Sequence, residues 1–489
     1  MSISIPPANS EKPQRSTIAV IVIVIILVQA VFLIWRLSSW YYDDPFITYR
    51  YAWNLIHGLG FVYNPGERVL STTTPFFTIL LAGFGLIWPN FPLLATVIGC
   101  LAAVSSGLLF WDLAKQWKME IAAWVGLLLL PIFPLVSSTI SSETPLYIAL
   151  VLGTLDLYVR RRFTLAGLTS AILVLVRPDG ILLPLLLAIV FLLKKNEHRP
   201  WGAVGIFIGI NALWFGFAWL YFGSPIPMTL LSKHQQGVMS ISQQFAPGFV
   251  KIISLYSHTW YFLIEALLAM IGAAWLIIRR HASSLLVIWT MFYFLAYSLL
   301  GVTRYFWYYA PLVPAFILLT GGGFEMLVEV FNRIKGRRDT RKWLARLLFI
   351  VLAILSIFQG INTYNFTQTP DKRIFLYRSV GEWLHENTQE KDQIGMLEVG
   401  IIGYYSERSV IDFAGLIQPE VARQMRADTT YEDTARWAIE TFHPSYLVLS
   451  PEVFPELIND YAKEQCSEVQ YFNAEKYQAI INMVIFKCE

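Results

Sequence analysis

Two adjacent aspartates, Asp43 and Asp44, come shortly after an apolar run, residues 16–37, that is long enough to cross a bilayer. Carboxylates are costly at the edge of the hydrocarbon region, so an ionisable pair in this position is a candidate functional site. Carboxylates can take a proton from a reacting hydroxyl, or they can hold a hard divalent cation through their oxygens. The pair therefore raises the question of which local structure positions it.

The residues after the pair predict an amphipathic helix that lies in the membrane interface. Asp44 is a good N-cap, Pro45 suits the first helical position, and Gly58 suits the C-terminal stop. A single capping oxygen accounts for Asp44 but not for Asp43, so we predict Asp43 as a general base. Asp44 either only caps the helix or shares the chemistry. The apolar residues of one helix face are Phe46, Tyr49, Trp53 and Ile56.

The composition of the chain predicts an α-helical polytopic membrane protein. Of its 489 residues 56% are hydrophobic and 15% are charged, whereas a soluble domain carries about 25% charged residues. Apolar runs of membrane-spanning length recur through the first three quarters of the sequence. The net charge of +3 is small and no basic stripe is present, which excludes nucleic-acid binding as the main function.

The distribution of Lys and Arg decides the topology, because cytoplasmic loops are enriched in both. If residues 75–89 do not cross, nearly all basic clusters face one side; if they cross, those clusters face outward. We therefore predict about eleven spans, a cytoplasmic leader at 1–16, a membrane module at 17–363 with an outer first loop at 39–91, and an outer tail at 364–489. The residues placed inside include Lys12, Arg15, Lys115, Lys118, Arg160, Arg161, Arg162, Lys194, Lys195, Arg279, Arg280 and the cluster at 333–346.

The tail changes in character to a small α/β domain. A helical segment, a turn and short apolar strands follow one another, among them "PSYLVLS" and "AIINMVIFKC". An extracytoplasmic location would permit a disulfide between Cys466 and Cys488. The sequence leaves open whether the two thiols pair, since it does not give their separation.

Other polar residues of the outer loops are further candidates for the site. Glu143 is an acid in a short outer loop, and Arg177 and Asp179 flank Pro178, where they would either pair with each other or face a ligand. Cations from these loops could hold a phosphate group. The cationic candidates are Lys233, His234, Arg304 and Arg50, and the candidates for contacts to a glycan are Tyr404 and Tyr405.

The first loop, with its carboxylates, helix and "GLGFVYNPGERV" (58–69), resembles membrane glycosyltransferases of the GT-C superfamily. The resemblance is greatest to the branch that includes bacterial cell-wall arabinofuranosyltransferases. It extends in order through "SSETPLY" (141–147), "VRPDG" (176–180), "YFGSPIPMTLLSKH" (221–234) and "GIIGYYSERSVIDFAGL" (400–416), while "LSTTTP" (70–75) departs from the "EGYTNP" of that branch.

This resemblance implies a multi-pass protein of the bacterial inner membrane that takes a sugar from a polyprenyl-phosphate donor. The acceptor would be an extracytoplasmic glycan, lipid or protein, and a single displacement would invert the anomeric carbon. Asp43 would be the base, Lys233 or an arginine would stabilise the leaving phosphate, and Asp43 and Asp44 could hold Mg, Mn or Ca. The alternatives are a transferase of whole glycans or phospho-sugars, a transporter, and a non-catalytic sugar-binding protein.

Overall fold

The computed structural model describes residues 12–193, 199–240, 242–334 and 338–488. Within them, sixteen α-helices precede the tail, and seven helices with five strands form the tail. The helices before the tail are α1 Lys12–Leu37, α2 Pro45–Ile56, α3 Pro75–Gly85, α4 Phe91–Gln116, α5 Glu120–Leu129, α6 Pro134–Ser137, α7 Thr144–Val159, α8 Phe163–Val176, α9 Leu182–Leu193, α10 Trp201–Phe222, α11 Met228–Val238, α12 Phe245–Ser257, α13 Trp260–Arg279, α14 Ser284–Leu300, α15 Val313–Ile334 and α16 Arg338–Gln368.

Six helical segments in the described part are long and apolar enough to cross a membrane: Thr17–Leu37, Phe91–Gln116, Trp201–Phe222, Trp260–Arg279, Phe306–Phe331 and Arg346–Asn387. Seven further apolar helices are shorter, so the predicted count of about eleven spans stays a prediction. One of these shorter helices is α3, whose 11 residues extend only about 16 Å. That length is too short to cross roughly 30 Å of hydrocarbon.

Small residues allow the closest helix contacts of the membrane core. Helices α13 and α15 pack along much of their length. A Cβ atom added at Gly272 would lie 1.9 Å from the carbonyl oxygen of Leu319, so only glycine permits this approach. Membrane helices commonly pack through such small residues, because lipid provides no hydrophobic drive for association.

The helix after the aspartates forms where the sequence predicts it, but its surroundings differ from the prediction. It begins at Pro45 and ends before Gly58, which has a left-handed φ of 74°. Most of its residues are buried, because α2 packs against α3 and the tail. Protein therefore covers both faces of α2, and its location at the membrane interface stays a prediction.

The tail is the predicted small α/β domain. Its strands are β1 Gln393–Met396, β2 Ser409–Asp412, β3 Tyr446–Leu449, β4 Cys466–Phe472 and β5 Met483–Cys488. They form one sheet in the order β2-β1-β3-β5-β4. Strand β1 pairs in parallel with β2 and β3, and β5 pairs antiparallel with β3 and β4. Cys466 and Cys488 are opposite each other on β4 and β5 and form a disulfide. The tail helices are α17 Arg373–Asn387, α18 Ile401–Ser406, α19 Pro419–Ala422, α20 Tyr431–Phe442, α21 Pro455–Leu457, α22 Lys463–Gln465 and α23 Ala474–Tyr477.

Direct hydrogen bonds fasten the tail to the first loop. Asn64 donates to the carbonyl of Val410 at 2.9 Å and accepts from its N–H at 2.9 Å. The Tyr63 hydroxyl donates to the carbonyl of Val399. The amide of Asn64 therefore extends the edge of the sheet at β2, and the tail and first loop form one packed unit.

Some of the predicted features lie outside the described residues. These are residues 1–11 of the leader, Lys194, Lys195, and the stretch 335–337 within the basic cluster.

Candidate active site

A cavity of about 290 Å³ lies where the first loop and α11 meet the N-terminal ends of α7 and α9 and the C-terminal end of α14. Its walls combine charged, hydroxyl and aromatic side chains, which is the mixture expected of a binding site. The polar and aromatic residues that line it include Tyr42, Asp44, Thr48, Ser71, Thr72, Thr73, Thr74, Glu143, Arg177, Asp179, Thr229, Lys233, Tyr297, Trp307 and Tyr308.

Asp44 and Lys233 form an ion pair at this cavity. The Nζ atom of Lys233 donates to Oδ2 of Asp44 at 2.6 Å. Burial alone would lower the pKa of Lys233, but the Asp44 carboxylate holds that pKa above its ordinary value. The rings of Tyr305 and Trp307 also lie within 4.9 and 5.3 Å of Nζ, so Lys233 is a fixed cation at the cavity wall.

The interpretation of Asp44 as a helix cap is wrong. Its backbone is already helical and its side chain makes no capping hydrogen bond. The carboxylate points instead toward Lys233, because a buried ammonium needs an opposite charge more than the helix end needs a second acceptor. Asp44 is thus the member of the pair that reaches the cavity.

Arg177 forms the second charged group of the cavity. Its guanidinium donates two hydrogen bonds to Asp179 at 2.8 and 3.2 Å and has an ion-pair distance of 3.8 Å to Glu143. The Tyr297 hydroxyl donates to Asp179 at 2.7 Å. Burial raises the pKa of Glu143, and Arg177 opposes that rise. The predicted pairing of Arg177 with Asp179 is confirmed, and both residues line the cavity.

Asp43 faces away from the cavity toward the tail. Its two carboxylate oxygens accept hydrogen bonds from the N–H groups of Gly400 at 3.0 Å and Ile401 at 2.7 Å. Burial raises the pKa of Asp43 to about 8; Glu398 adds to the rise and the two N–H donors oppose it. Asp43 therefore holds the start of α18, and the structure does not place it where a base would meet the cavity.

The tail also holds α11, the helix that carries Lys233. The Ser232 hydroxyl donates to the carbonyl of Gly415, and the Gln236 amide donates to the carbonyl of Ala414 at 3.1 Å. Asp412 accepts hydrogen bonds from the N–H groups of Ala414 and Ile417 and so fixes this loop. The position of Lys233 depends on the tail, a link that no local motif in the sequence indicates.

Besides Asp43, five further predicted site residues do not line the cavity. Arg50 is buried and donates to the carbonyls of Tyr63 and Arg408, so its guanidinium links the first loop to the tail. His234 points to the carbonyl of Leu300. Arg304 packs along Gly248. The two predicted glycan contacts, Tyr404 and Tyr405, pack within the tail interface against Phe46.

The sequence prediction missed the hydroxyl and aromatic parts of the cavity. Four consecutive hydroxyl residues, 71–74, line it together with Tyr42 and Tyr308. A run of Ser and Thr before Pro75 has the composition of an ordinary loop, so only its position after "NPGERV" could have indicated a role.

The donor atoms do not form a set that fits a metal ion held by the protein alone. Among the described residues, no three His, Cys, Asp or Glu side chains converge closely enough for this. The carboxylates of Asp43 and Asp44 point to different partners, so the prediction that the adjacent pair holds a cation is not supported.

Comparison by sequence matches the tail to one family model. Residues 365–483 match the family model "Domain of unknown function (DUF8728)". No curated protein matches the sequence.

Solved structures resemble nearly the whole chain. ArnT from Cupriavidus metallidurans in the apo state has a TM-score of 0.63 at 13% identity and covers 97% of this chain and 98% of its own. Its undecaprenyl-phosphate complex has a TM-score of 0.60 at 14% identity, with coverages of 95% and 97%. The Archaeoglobus fulgidus oligosaccharyltransferase has a TM-score of 0.56 at 15% identity, with coverages of 92% and 73%.

The chain therefore has the fold of GT-C membrane glycosyltransferases, to which both neighbours belong. The predicted fold class is confirmed, including the α/β tail. The arabinofuranosyltransferase-like branch stays a prediction.

Proposed function

We propose that the protein is an integral membrane glycosyltransferase that moves one sugar from a polyprenyl-phosphate donor to an extracytoplasmic glycan, lipid or protein. The observation that carries this proposal is the cavity with a carboxylate, Asp44, 2.6 Å from the ammonium of Lys233. A base and a phosphate-binding cation in one buried site are what transfer from a lipid phosphate requires.

In this mechanism the donor's phosphate competes with Asp44 for Lys233. The phosphate gains a charge-assisted hydrogen bond, and the Asp44 carboxylate becomes free to accept the proton of the acceptor hydroxyl. That oxygen then bonds to the anomeric carbon while the bond from this carbon to the phosphate oxygen breaks. Polyprenyl phosphate leaves with the bonding electrons, and the single displacement inverts the anomeric carbon.

The charges of the cavity fit this exchange. Three carboxylates and two cations line it, and each carboxylate is paired: Asp44 with Lys233, and Glu143 and Asp179 with Arg177. Arg177 is held by two acids and two tyrosine hydroxyls, so a phosphate would displace its partners less readily than the single partner of Lys233. Lys233 has one carboxylate partner and is the group that a phosphate can recruit.

The size of the cavity favours transfer of one sugar over transfer of a whole glycan. About 290 Å³ lies at the lower end of the range for ligand pockets, which runs from roughly 300 to 1,000 Å³. A monosaccharide with its phosphate fills such a volume. A lipid-linked oligosaccharide needs a larger or more open cavity.

An apolar groove of about 570 Å³ between α8, α9 and α10 offers a path for the polyprenyl chain. Ile181 lines both this groove and the cavity, so the two spaces are neighbours. A lipid in the groove would present its phosphate toward the charged residues.

The proposed location is the bacterial inner membrane, with the N-terminus in the cytoplasm and the cavity and tail outside. The distribution of Lys and Arg supports this orientation. ArnT, a neighbour in fold, is seen with undecaprenyl phosphate, and the Archaeoglobus oligosaccharyltransferase is seen with an acceptor peptide tethered to it.

Whether transfer requires a divalent cation needs a separate experiment. The oligosaccharyltransferase was solved in complex with Zn and sulfate, whereas the donor atoms described above do not converge in this chain. The steps above use only the chain's own residues. Transfer measured in EDTA, and again after addition of Mg, Mn or Ca, decides whether a metal is needed.

The test of the function is transfer by purified protein in lipid, with polyprenyl phosphates that carry single sugars and one that carries an oligosaccharide. We expect transfer of a single sugar, and we expect Asp44→Asn to lose at least about 100-fold in kcat, the usual contribution of a general base. Donor binding by Asp44→Asn, measured separately, shows that the variant is folded. Transfer of the oligosaccharide alone, or an unchanged rate in Asp44→Asn, would contradict the proposal.

A further inference from the structure

Six hydroxyl side chains line the cavity beside its charged residues, and we call them the hydroxyl wall. Its members are Thr48, Ser71, Thr72, Thr73, Thr74 and Thr229. Three of the charged groups that share the cavity are carboxylates and two are cations, while the wall itself carries no charge. The cavity thus has a charged part and a neutral polar part.

The wall is held in place by its own hydrogen bonds. The Thr74 hydroxyl lies 3.2 Å from those of Thr48 and Thr72, and the Thr78 hydroxyl donates to the Thr74 carbonyl at 3.0 Å. The Thr229 hydroxyl donates to the carbonyl of Ser71 at 2.8 Å. Since Thr229 belongs to α11, the wall is fixed relative to Lys233.

One hydroxyl of the wall has no hydrogen-bond partner. Ser71 is 1% exposed, and its Oγ atom is buried without one among the described residues. A buried hydroxyl without a partner costs free energy, and Ser71 is one of the residues that line the cavity. The other hydroxyls also keep unused acceptor positions, because each hydroxyl has two lone pairs.

We propose that the hydroxyl wall binds the sugar of the donor and that the cavity selects against an acidic sugar. This inference rests on the proposed function. Hydroxyls both donate and accept, so they match the hydroxyls of a sugar. An acidic sugar would need a free cation, whereas Arg177 is already paired with Glu143 and Asp179, and the phosphate of the donor takes Lys233 in the proposed mechanism.

The surplus carboxylate of the cavity adds to this selection against an acidic sugar. With three acids against two cations, and the phosphate of the donor to accommodate as well, a uronic acid would bring a further negative charge into a buried space. Like charges at short range in a low-dielectric site repel strongly.

The experiment compares donors with the same polyprenyl phosphate that carry a neutral sugar, an amino sugar and a uronic acid. Ser71→Ala and Thr73→Val each remove one hydroxyl from the wall. Thr96→Val is the matched control, since the buried hydroxyl of Thr96 donates to the carbonyl of Pro92 within α4 and Thr96 neither lines the cavity nor contacts the wall. KM and kcat are measured for each variant.

We expect the neutral donor to be preferred to the uronic acid donor, and we expect the two wall variants to raise the KM of the neutral donor about 3- to 10-fold, the range of one hydrogen bond. A deoxy donor that lacks the contacted hydroxyl should show a smaller effect of the same variant. Thr96→Val should leave KM within about twofold.

Two results would overturn the inference while the proposed function stands: preferred transfer of the uronic acid, or an unchanged KM in both wall variants. If none of the donors is used, the proposed function fails and the role of the wall fails with it.

Discussion

The ammonium of Lys233 lies 2.6 Å from the carboxylate of Asp44, although the two residues are 189 positions apart in the chain. The pair joins the first loop to α11. In the proposed mechanism the pair also lets a cavity with more acids than cations receive a phosphate, because the phosphate would replace the Asp44 carboxylate as the partner of Lys233.

Replacement of Lys233 should weaken donor binding more than it slows the chemical step. Lys233→Met removes the cation that the phosphate recruits, and we expect donor KM to rise by about 10- to 100-fold, the range of a charge-assisted hydrogen bond. Lys233→Arg keeps the charge and should recover part of this loss. Steady-state kinetics with the preferred donor separate the change in KM from that in kcat.

Lys251→Met is the control for Lys233→Met, because Lys251 is an exposed lysine of α12 that does not line the cavity. A donor KM in Lys233→Met that equals the wild-type value would show that Lys233 only neutralises Asp44.

The contact between Gly400 and Asp43 should not tolerate even one methyl group. A Cβ atom at Gly400 would lie 2.1 Å from the backbone oxygen of Asp43 and 2.4 Å from Oδ2. Gly400→Ala should therefore separate the tail from the first loop, at a cost of about 1–3 kcal/mol in stability, and reduce transfer because Asp44 follows Asp43. Thermal unfolding and the transfer rate are the measurements.

Gly83→Ala is the matched substitution, since nothing lies within 4 Å of a Cβ atom at Gly83. Equal unfolding temperatures of the two alanine variants would refute the proposed tight contact at Gly400.

Asp43 should make the stability of the protein depend on pH. Its pKa is raised from 3.8 to about 8 by burial, so the folded state keeps the proton more readily than the unfolded state. Stability should then fall as pH rises from about 4 to 8, by at most about 1.4 kcal/mol per pH unit, and level off above 8. Asp43→Asn should show a weaker fall over the same window.

Unfolding temperatures of both proteins measured at several pH values test this expectation. Burial also raises the pKa of Glu398, so part of the pH dependence should persist in the variant. A pH dependence identical in the wild type and Asp43→Asn would exclude Asp43 as a contributor.

The sequence identified the carboxylate pair but not the partner of either member. Local rules favour Asp44 as a helix cap, since it precedes Pro45, and these rules say nothing about Lys233 or Gly400. The partner of each aspartate comes from a segment more than 180 residues away. Local patterns predicted the helix that begins at Pro45, whereas long-range packing decides where each carboxylate points.

The difference between local patterns and long-range packing also explains which of the other predicted site residues line the cavity. Lys233, Glu143 and Asp44 were predicted from an unusual charge in an outer loop, and all three line the cavity. Arg50 was predicted by the same reasoning, but it is buried against backbone carbonyls of the first loop and the tail. A sequence shows that a charge is unusual, but not whether it meets a ligand or the protein's own backbone.

The disulfide of the tail should matter for stability but little for the site. Cys466 and Cys488 join β4 to β5, and β4 lies at the opposite edge of the sheet from β2, which contacts the first loop through Val410. Replacing both cysteines by serine should destabilise the tail by about 3 kcal/mol, because the bond closes a loop of 22 residues. Well below the unfolding temperature, the transfer rate should stay close to that of the wild type.

Thermal unfolding with and without a reductant checks the expected loss of stability, since only the wild type should respond to the reductant. A loss of transfer as large as that of Gly400→Ala would mean that the whole sheet, and not only its β2 edge, positions the site.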